Sequence, residues 1–148
     1  MSTVTPPPDT RETVPTDVRL YWALRAQNAC PQSLGNMSEE EIGSAVEAGA
    51  LQVWIAQDEN STVVLCGQRD GQSAIIGAFY AEGDAASFWH LTNDVRAQLV
   101  EWMRSEALSS AFGAIAIDHP ELQQLVKVYE RLGFRPDCVR IVMHLERV

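Results

Sequence analysis

The sequence predicts an α+β, or mixed α/β, domain of three layers, in which about four helices flank a central mixed, mostly antiparallel sheet. The hydrophobic period changes from helical to alternating near Leu51 and returns to helical spacing from Asn93. Short polar turns join the middle segments, which favours antiparallel neighbours. Later strands alternate with helices and therefore require crossover connections. A chain of 148 residues, 46% of them apolar, suits a single core.

The N-terminal part divides into a tail and two helices. Residues 1–15 contain four prolines among small polar residues, so we predict a proline-rich tail followed by one domain over residues 16–148. A first helix is predicted from Thr16 or Asp17 to about Ala29, with Pro31 as its stop.

The second helix has the clearer start signal. Ser38 and Glu41 have the spacing of a capping box, in which each residue satisfies a backbone N–H of the other. Gly49 marks the end of this helix.

The middle of the chain reads as a meander. Four strands are predicted, joined by the turns DENS, RDGQ and EGDA: LQVWIAQ, TVVLCGQ, SAIIGAFYAE and ASFWHLT.

The last third alternates between helix and strand. NDVRAQLVEWMRSEAL predicts a helix, AFGAIAID a short buried strand, and CVRIVMHLERV a final strand or strand pair. Between these, Pro120 opens a helix that Gly133 closes. Its apolar stripe consists of Leu122, Leu125, Val126, Tyr129 and Leu132.

Charge and composition exclude several classes of function. The net charge of −9, with nine acidic and three basic side chains in the first 60 residues, argues against nucleic-acid binding. No apolar run approaches membrane-spanning length, and no secretory signal is visible. We therefore expect a cytoplasmic protein, and a component packaged into a larger particle would have the same composition. The three cysteines and three histidines are scattered, which predicts unpaired thiols and no metal site.

The stretch YERLGF, residues 129–134, ends an amphipathic helix that follows a short predicted strand. In this order of elements, the chain resembles the GNAT superfamily of GCN5-related N-acetyltransferases over residues 16–148, with the specific motif confined to about 118–148. The resemblance implies that acetyl-CoA lies where two parallel strands diverge. It also implies that an acid protonates the departing thiolate.

Tyr129 matches the position of the family's usual acid, and a phenol keeps its proton at neutral pH. Glu82, at the end of the third predicted strand, is a candidate base, and Trp89 and His90 on the predicted fourth strand could shape the cleft. The alternative for Tyr129 is packing alone, because it also belongs to the apolar stripe of its helix. We favour packing.

The resemblance further implies a pyrophosphate loop, Q/R-x-x-G-x-G/A, before the following helix. The stretch assigned to it, HLTNDVRAQL, has no glycine, and Thr92, Asn93 and Asp94 are typical of a helix cap. If acetyl-CoA binds, the phosphate site would be formed by Asn93, Asp94, Val95 and Arg96.

These departures predict a non-catalytic GNAT-like domain without cofactor, acting as a structural or interaction component. Small internal virion proteins of short-tailed phages are similar in size and order of elements. Contacts with other chains are expected through the tail and Tyr21, Trp22 and Arg25 of the first helix. The alternative is an acetyl-CoA-dependent N-acetyltransferase acting on an amine. A third hypothesis is a toxin-like acetyltransferase or the antitoxin partner of one.

Overall fold

The computed structural model describes residues 14–29, 37–113 and 121–135. These form four α-helices, one 3₁₀ turn and four strands. In chain order the elements are α1 (Thr16–Ala29), α2 (Glu39–Glu47), β1 (Gln52–Gln57), β2 (Ser61–Asp70), β3 (Ser73–Gly83), the 3₁₀ turn Ala85–Ser87, α3 (Phe88–Ser105), β4 (Ser110–Gly113) and α4 (Leu122–Leu132).

The first two helices confirm the sequence prediction. Ser38 is the N-cap of α2: its side chain accepts a hydrogen bond from Glu41 N at 3.1 Å, and Ser38 N donates to Glu41 Oε1 at 2.9 Å. Gly49 follows the helix at φ +74°, a conformation that favours glycine.

The sheet has the order β1-β2-β3-β4. The first three strands are antiparallel neighbours, as the short turns predict, whereas β4 pairs with β3 in parallel. The sheet is therefore mixed and mostly antiparallel.

The predicted fourth strand, ASFWHLT, is wrong. Residues 85–87 form a 3₁₀ turn and α3 begins at Phe88, five residues before the helix that the sequence predicts. Phe88, Leu91 and Val95 pack into the apolar core at helical spacing. The aromatic run suits a strand by local preference, but packing against the sheet decides for the helix.

The two faces of the sheet carry separate cores, which makes the domain three-layered. One core lies against α1 and α2 and contains Trp22, Ile42, Val46, Val53 and Val64. The opposite core lies against α3 and α4 and contains Trp54, Leu65, Leu91, Val95 and Tyr129.

The helix α4 also confirms its prediction. Gly133 follows it in the left-handed region, at φ 104°, and its N–H bonds back to the last turn. The predicted final strand lies outside the described residues. Of the helices that the structure describes, none is long and apolar enough to cross a membrane.

Candidate functional site

The end of the parallel strand pair is where the sequence resemblance places a ligand. Pairing of β3 with β4 runs from Ser73–Ser110 to Ile76–Gly113, and β3 continues beyond it to Gly83. The register of β2 against β3 passes from Cys66–Ala78 to Gly67–Ile76 and leaves Gly77 unmatched. A β-bulge therefore lies next to the last parallel pair and redirects β3 there.

Tyr129 lies directly against this end of β4. A Cβ atom added to Gly113 would come within 2.9 Å of the Tyr129 ring, so the absence of a side chain at Gly113 permits the contact. The ring also meets Phe134 edge-on, with centroids 5.4 Å apart, and the residue is only 9% exposed. Tyr129 is thus a core residue that lies beside the end of β4, and its predicted role as an acid stays a prediction.

Glu82 belongs to a different cluster. Its Oε1 accepts hydrogen bonds from Arg25 Nε at 2.9 Å and from the Tyr80 hydroxyl at 2.8 Å, and it lies 2.7 Å from Arg25 Nη2. The hydrogen bonds to Tyr80 and Glu82 raise the pKa of Arg25 above its usual value. Glu82 is therefore an ion-pair partner of α1.

The structure does not bring Glu82 and Tyr129 together. Arg25 and Tyr80, which hold Glu82, adjoin the core on the α1 side of the sheet, whereas Tyr129 lies in the core on the α3 side. An acid and base acting on one substrate must both reach the reacting atoms. The pair predicted from sequence does not form one compact constellation here.

The segment that enters α3 is Gly83–Ser87, and this corrects the position of the predicted phosphate loop. In that segment Gly83 and Ala85 supply the G-x-A spacing, with Tyr80 where the family pattern has Gln or Arg. The sequence stretch HLTNDVRAQL, compared with the loop above, instead lies inside α3.

The four residues proposed to bind phosphate are consequently in the wrong place for that role. Asn93, Asp94, Val95 and Arg96 lie beyond the first turn of α3, where helical N–H groups bond to carbonyls four residues earlier. Thr92 is fully buried and donates to Phe88 O at 2.8 Å, so it is not a cap. The Arg96 side chain donates to Leu132 O at 3.2 Å, at the end of α4.

The 3₁₀ turn that leads into α3 is closed by the chain's own groups, whereas Ser87, the N-cap of α3, makes no side-chain cap bond. Asp84 N donates to Asn60 O at 3.2 Å, and Ala86 N donates to Asp84 Oδ1 at 2.9 Å. Gly83, at φ +105°, is packed so tightly that an added Cβ would run into the carbonyl oxygen of Asn60. The loop backbone therefore approaches the β1–β2 turn closely and bonds to it.

A second carboxylate reaches the same helix end from the β1–β2 turn. The Ser87 hydroxyl donates to Asp58, and this bond, with the Asn60 N–H and the nearby His90, lowers the pKa of Asp58. His90 and Trp89 lie in the first turn of α3 instead of on a strand. Sequence reasoning missed Asp58, Asp84 and Ser87. Asp84 is a typical cap residue, and that signal was available.

One surface of α1 combines exposed aromatic and cationic groups. We define the α1 surface as Val18, Tyr21, Arg25, Asn28 and Tyr80. Tyr21 is 52% exposed, and the Arg25 guanidinium lies 5.6 Å from its ring and 5.8 Å from that of Tyr80. A depression of about 280 Å³ is lined by Arg25, Asn28, Ala29 and Tyr80.

Trp22, the third residue predicted to contact a partner, is 8% exposed and packs in the core. It therefore adds little to the α1 surface.

Metal and thiol chemistry find no support in the described residues. Among residues 14–29, 37–113 and 121–135, no three His, Cys, Asp or Glu side chains are grouped to hold a metal ion. Cys66 is buried, and burial raises the pKa of its thiol to about 12. A thiol of that pKa is a packing residue at neutral pH.

Comparison with known proteins supports the fold. No family model matches the chain. No curated protein matches it either. Among solved structures, a chain described as a "probable acetyltransferase" superposes with a TM-score of 0.53 at 13% identity, covering 87% of this chain and 93% of the other. Another, from Agrobacterium tumefaciens str. C58 and provisionally described as an acetyltransferase, gives a TM-score of 0.52 at 15% identity, covering 88% and 96%. The chain has a GNAT-like fold.

Proposed function

We propose that this GNAT-fold domain acts through contacts with other proteins and does not transfer acetyl groups. The observation that carries the proposal is the turn that leads into α3, where Asp84 accepts from Ala86 N and Asp58 accepts from the Ser87 hydroxyl. In the family that the chain resembles, the corresponding helix end receives the pyrophosphate of acetyl-CoA. The residues present do not fit that group.

Both hydrogen bonding and charge disfavour a pyrophosphate at the start of α3. A helix N-terminus attracts an anion because its first N–H groups lack partners and the helix dipole is positive there. Here the N–H of Ala86 is bonded to Asp84, and the N–H of Asp84 is bonded to Asn60. A pyrophosphate would have to displace these bonds and approach two carboxylates of its own sign.

The glycine of the loop does not reverse this argument. Glycine serves a phosphate loop by letting the backbone come close to the ligand. At Gly83 the open side of the Cα faces Asn60 and Ser61. The close approach that glycine permits is thus already made within the chain.

The α1 surface is the contact site that we propose for a partner protein. Exposed Tyr and Arg side chains are enriched among residues that dominate binding energy at interfaces. Tyr21 and Arg25 lie together there, and the guanidinium is held in place by Glu82. A component of a phage particle is one role consistent with such a domain, as the sequence resemblance implies.

A second candidate, N-acetylation of an amine by acetyl-CoA, has one observation in its favour. Tyr129 lies against Gly113 at the end of the parallel strand pair. The family resemblance implies that the acid which protonates the departing thiolate lies there. The structural neighbours are themselves described as acetyltransferases. In this candidate the carboxylates at α3 must move before the cofactor binds.

Calorimetric titration of the full chain with CoA and acetyl-CoA separates the two candidates. Our proposal predicts no heat of binding at high micromolar ligand for the wild-type protein. The double variant Asp58→Asn, Asp84→Asn should gain weak affinity, because two repulsive charges are removed from the helix end. The matched control is Glu40→Gln, Glu47→Gln, which changes the net charge equally at exposed positions of α2.

Micromolar binding by the wild-type protein would overturn the proposal. It would justify an amine screen in which Tyr129→Phe tests the acid role. Loss of turnover with unchanged CoA affinity in that variant would then establish the second candidate.

A further inference from the structure

β1 lies at one edge of the described sheet, and its pairing with β2 determines which of its backbone groups point outward. Along one strand of an antiparallel pair, residues whose N–H and C=O groups face the partner strand alternate with residues whose groups face away from it. Asp58 N donates to Ser61 O at 3.0 Å, so the backbone of Asp58 faces β2. Counting back along β1, the backbone groups of Gln57 and Ile55 therefore point away from β2.

A contact with α3 agrees with this count. Gln98 Nε2 donates to Ile55 O at 2.9 Å, and a carbonyl turned away from β2 can accept this bond. Within the described part of the chain, no such bond reaches the Ile55 N–H or the backbone groups of Gln57. Val53 also points outward by the same count, but it is only 7% exposed. We define the β1 edge as the outward backbone groups of Ile55 and Gln57.

The sequence of β1 does little to block this edge. Proteins that stay monomeric usually protect an edge strand with lysine, proline or a bulge. β1 reads QVWIAQ, which has neither residue, and its register against β2 is continuous. The Gln98 side chain covers one carbonyl only. An extended segment of another chain can therefore add to the β1 edge as a strand, with main-chain hydrogen bonds supplying the affinity.

The surroundings of the β1 edge are acidic. Asp94 and Glu101 lie four residues before and three residues after Gln98, on the same face of α3, and Glu59 lies in the turn after β1. All three carboxylate residues are exposed. Arg96, the cation nearest to Gln98 in sequence, donates to the end of α4 instead. A basic segment is attracted to such surroundings, whereas a second copy of the chain would bring like charges together.

We propose that the β1 edge receives an extended, lysine- or arginine-containing segment of a partner protein, which pairs with β1 as an added strand. The backbone of this segment bonds to Ile55 and Gln57, and its basic side chains lie beside Asp94 and Glu59. This surface shares no residue with the α1 surface. The inference does not depend on whether the domain is an enzyme or a binding module.

Amide NMR of the full chain, titrated with two synthetic peptides, tests the proposal. One is a short peptide of alternating Lys and Val, and the matched peptide has Glu in place of Lys. We expect the Lys peptide to shift the Ile55 and Gln57 amide resonances saturably and to slow their hydrogen exchange. It should bind at least about tenfold more tightly than the Glu peptide, because the edge is surrounded by carboxylates.

A pair of variants at Gln57 tests the backbone contact itself. Gln57→Pro removes an N–H that points outward, so the ladder between β1 and β2 keeps its bonds. The control, Gln57→Thr, loses the same side chain and its bond to Thr62 but keeps the N–H. Read at the Ile55 amide, the proline variant should bind the Lys peptide at least about tenfold more weakly than the threonine variant. Equal affinities of the two variants would contradict strand addition.

Three further results would overturn the proposal. Absence of saturable shifts at Ile55 and Gln57 in the wild-type protein, up to millimolar Lys peptide, would show that the edge receives no strand. Equal affinities for the Lys and Glu peptides would rule out selection of a basic partner. Protection of both amides that grows with protein concentration, without peptide, would show that a second copy occupies the β1 edge.

Discussion

The backbone N–H groups at the start of α2 and those of the turn before α3 are bonded by different parts of the chain. At α2, Ser38 and Glu41 satisfy each other's backbone groups within four residues. Before α3, Asp84 caps the 3₁₀ turn through Ala86 N, and Asp58 from the turn between β1 and β2 accepts from the hydroxyl of Ser87, the N-cap of α3. The first cap is local, whereas the second depends on the folded sheet.

This difference has a functional consequence. A local cap stabilises its helix and involves nothing else. The bond from Asp84 N to Asn60 O fastens the turn that leads into α3 to the β1–β2 turn. Under the function proposed above, an anion at this helix end would need the same backbone N–H groups, so capping and anion binding would compete for them.

The largest effect in this comparison should come from Gly83→Ala. The new Cβ would strike the carbonyl of Asn60 and force a positive φ on alanine, so we expect a loss of about 3 kcal/mol in the free energy of unfolding. The control is Gly71→Ala, which has φ +63° but open space around it, and should cost about 1 kcal/mol. Urea unfolding measures both. Equal losses would mean that Gly83 is not packed against the β1–β2 turn.

A smaller effect separates the two serine residues at the caps. Ser38→Ala removes the acceptor for Glu41 N and should destabilise the protein by about 1 kcal/mol. Ser87 makes no side-chain cap bond to α3 and donates to Asp58 instead, so Ser87→Ala should cost less, about 0.5 kcal/mol. Thermal unfolding of the two variants, side by side, tests the ranking. A larger loss for Ser87→Ala would contradict the assignment of caps.

The smallest effect is the pH dependence of stability. Hydrogen bonds lower the pKa of Glu41, mainly from the Ser38 backbone, and that of Asp58, mainly from Ser87. Because both folded-state pKa values are depressed, their stabilisation is present above the ordinary carboxyl pKa of about 4 and is lost as the pH falls through the folded values.

We therefore expect Asp58→Asn to have a shallower loss of melting temperature between neutral pH and strongly acidic pH than the wild-type protein. The matched control is Glu47→Gln, which removes an exposed carboxylate at the C-terminal end of α2 and should follow the wild-type curve. A curve for Asp58→Asn that parallels wild type would show that the Asp58 carboxylate does not contribute at the α3 cap.

The elements that could be predicted from the sequence are those determined by patterns among neighbouring residues. The capping box of α2, the first three strands of the predicted four-stranded meander and the closure of α4 by Gly133 are all readable from neighbouring residues. The start of α3 could not be predicted in this way, because Phe88 and Trp89 favour strands locally. The groups that bond to the turn before it, Asp58 and Asn60, lie on the β1–β2 turn. The spacing of Phe88, Leu91 and Val95 carried a helical signal that the aromatic run obscured.

The contacts of the predicted site residues depend on the folded structure. Tyr129 lies next to Gly113, the last residue of β4, and its predicted role as an acid stays a prediction. The engagement of Glu82 by Arg25 joins residues 57 positions apart, which single-sequence patterns do not reveal. The misplaced helix start also moved the expected phosphate loop into the middle of α3. The segment that enters α3 contains Gly83, and the carboxylates of Asp84 and Asp58 lie beside it.

The claim that the start of α3 does not bind phosphate is tested most directly at its backbone amides. Amide NMR of the full chain, titrated with CoA and separately with inorganic pyrophosphate, reports on Ala86, Ser87 and Phe88 individually. We predict no saturable shift of these three resonances up to millimolar ligand, because each N–H already bonds to an oxygen of the chain. Saturable shifts centred on these amides would contradict it and would establish the helix end as a phosphate site.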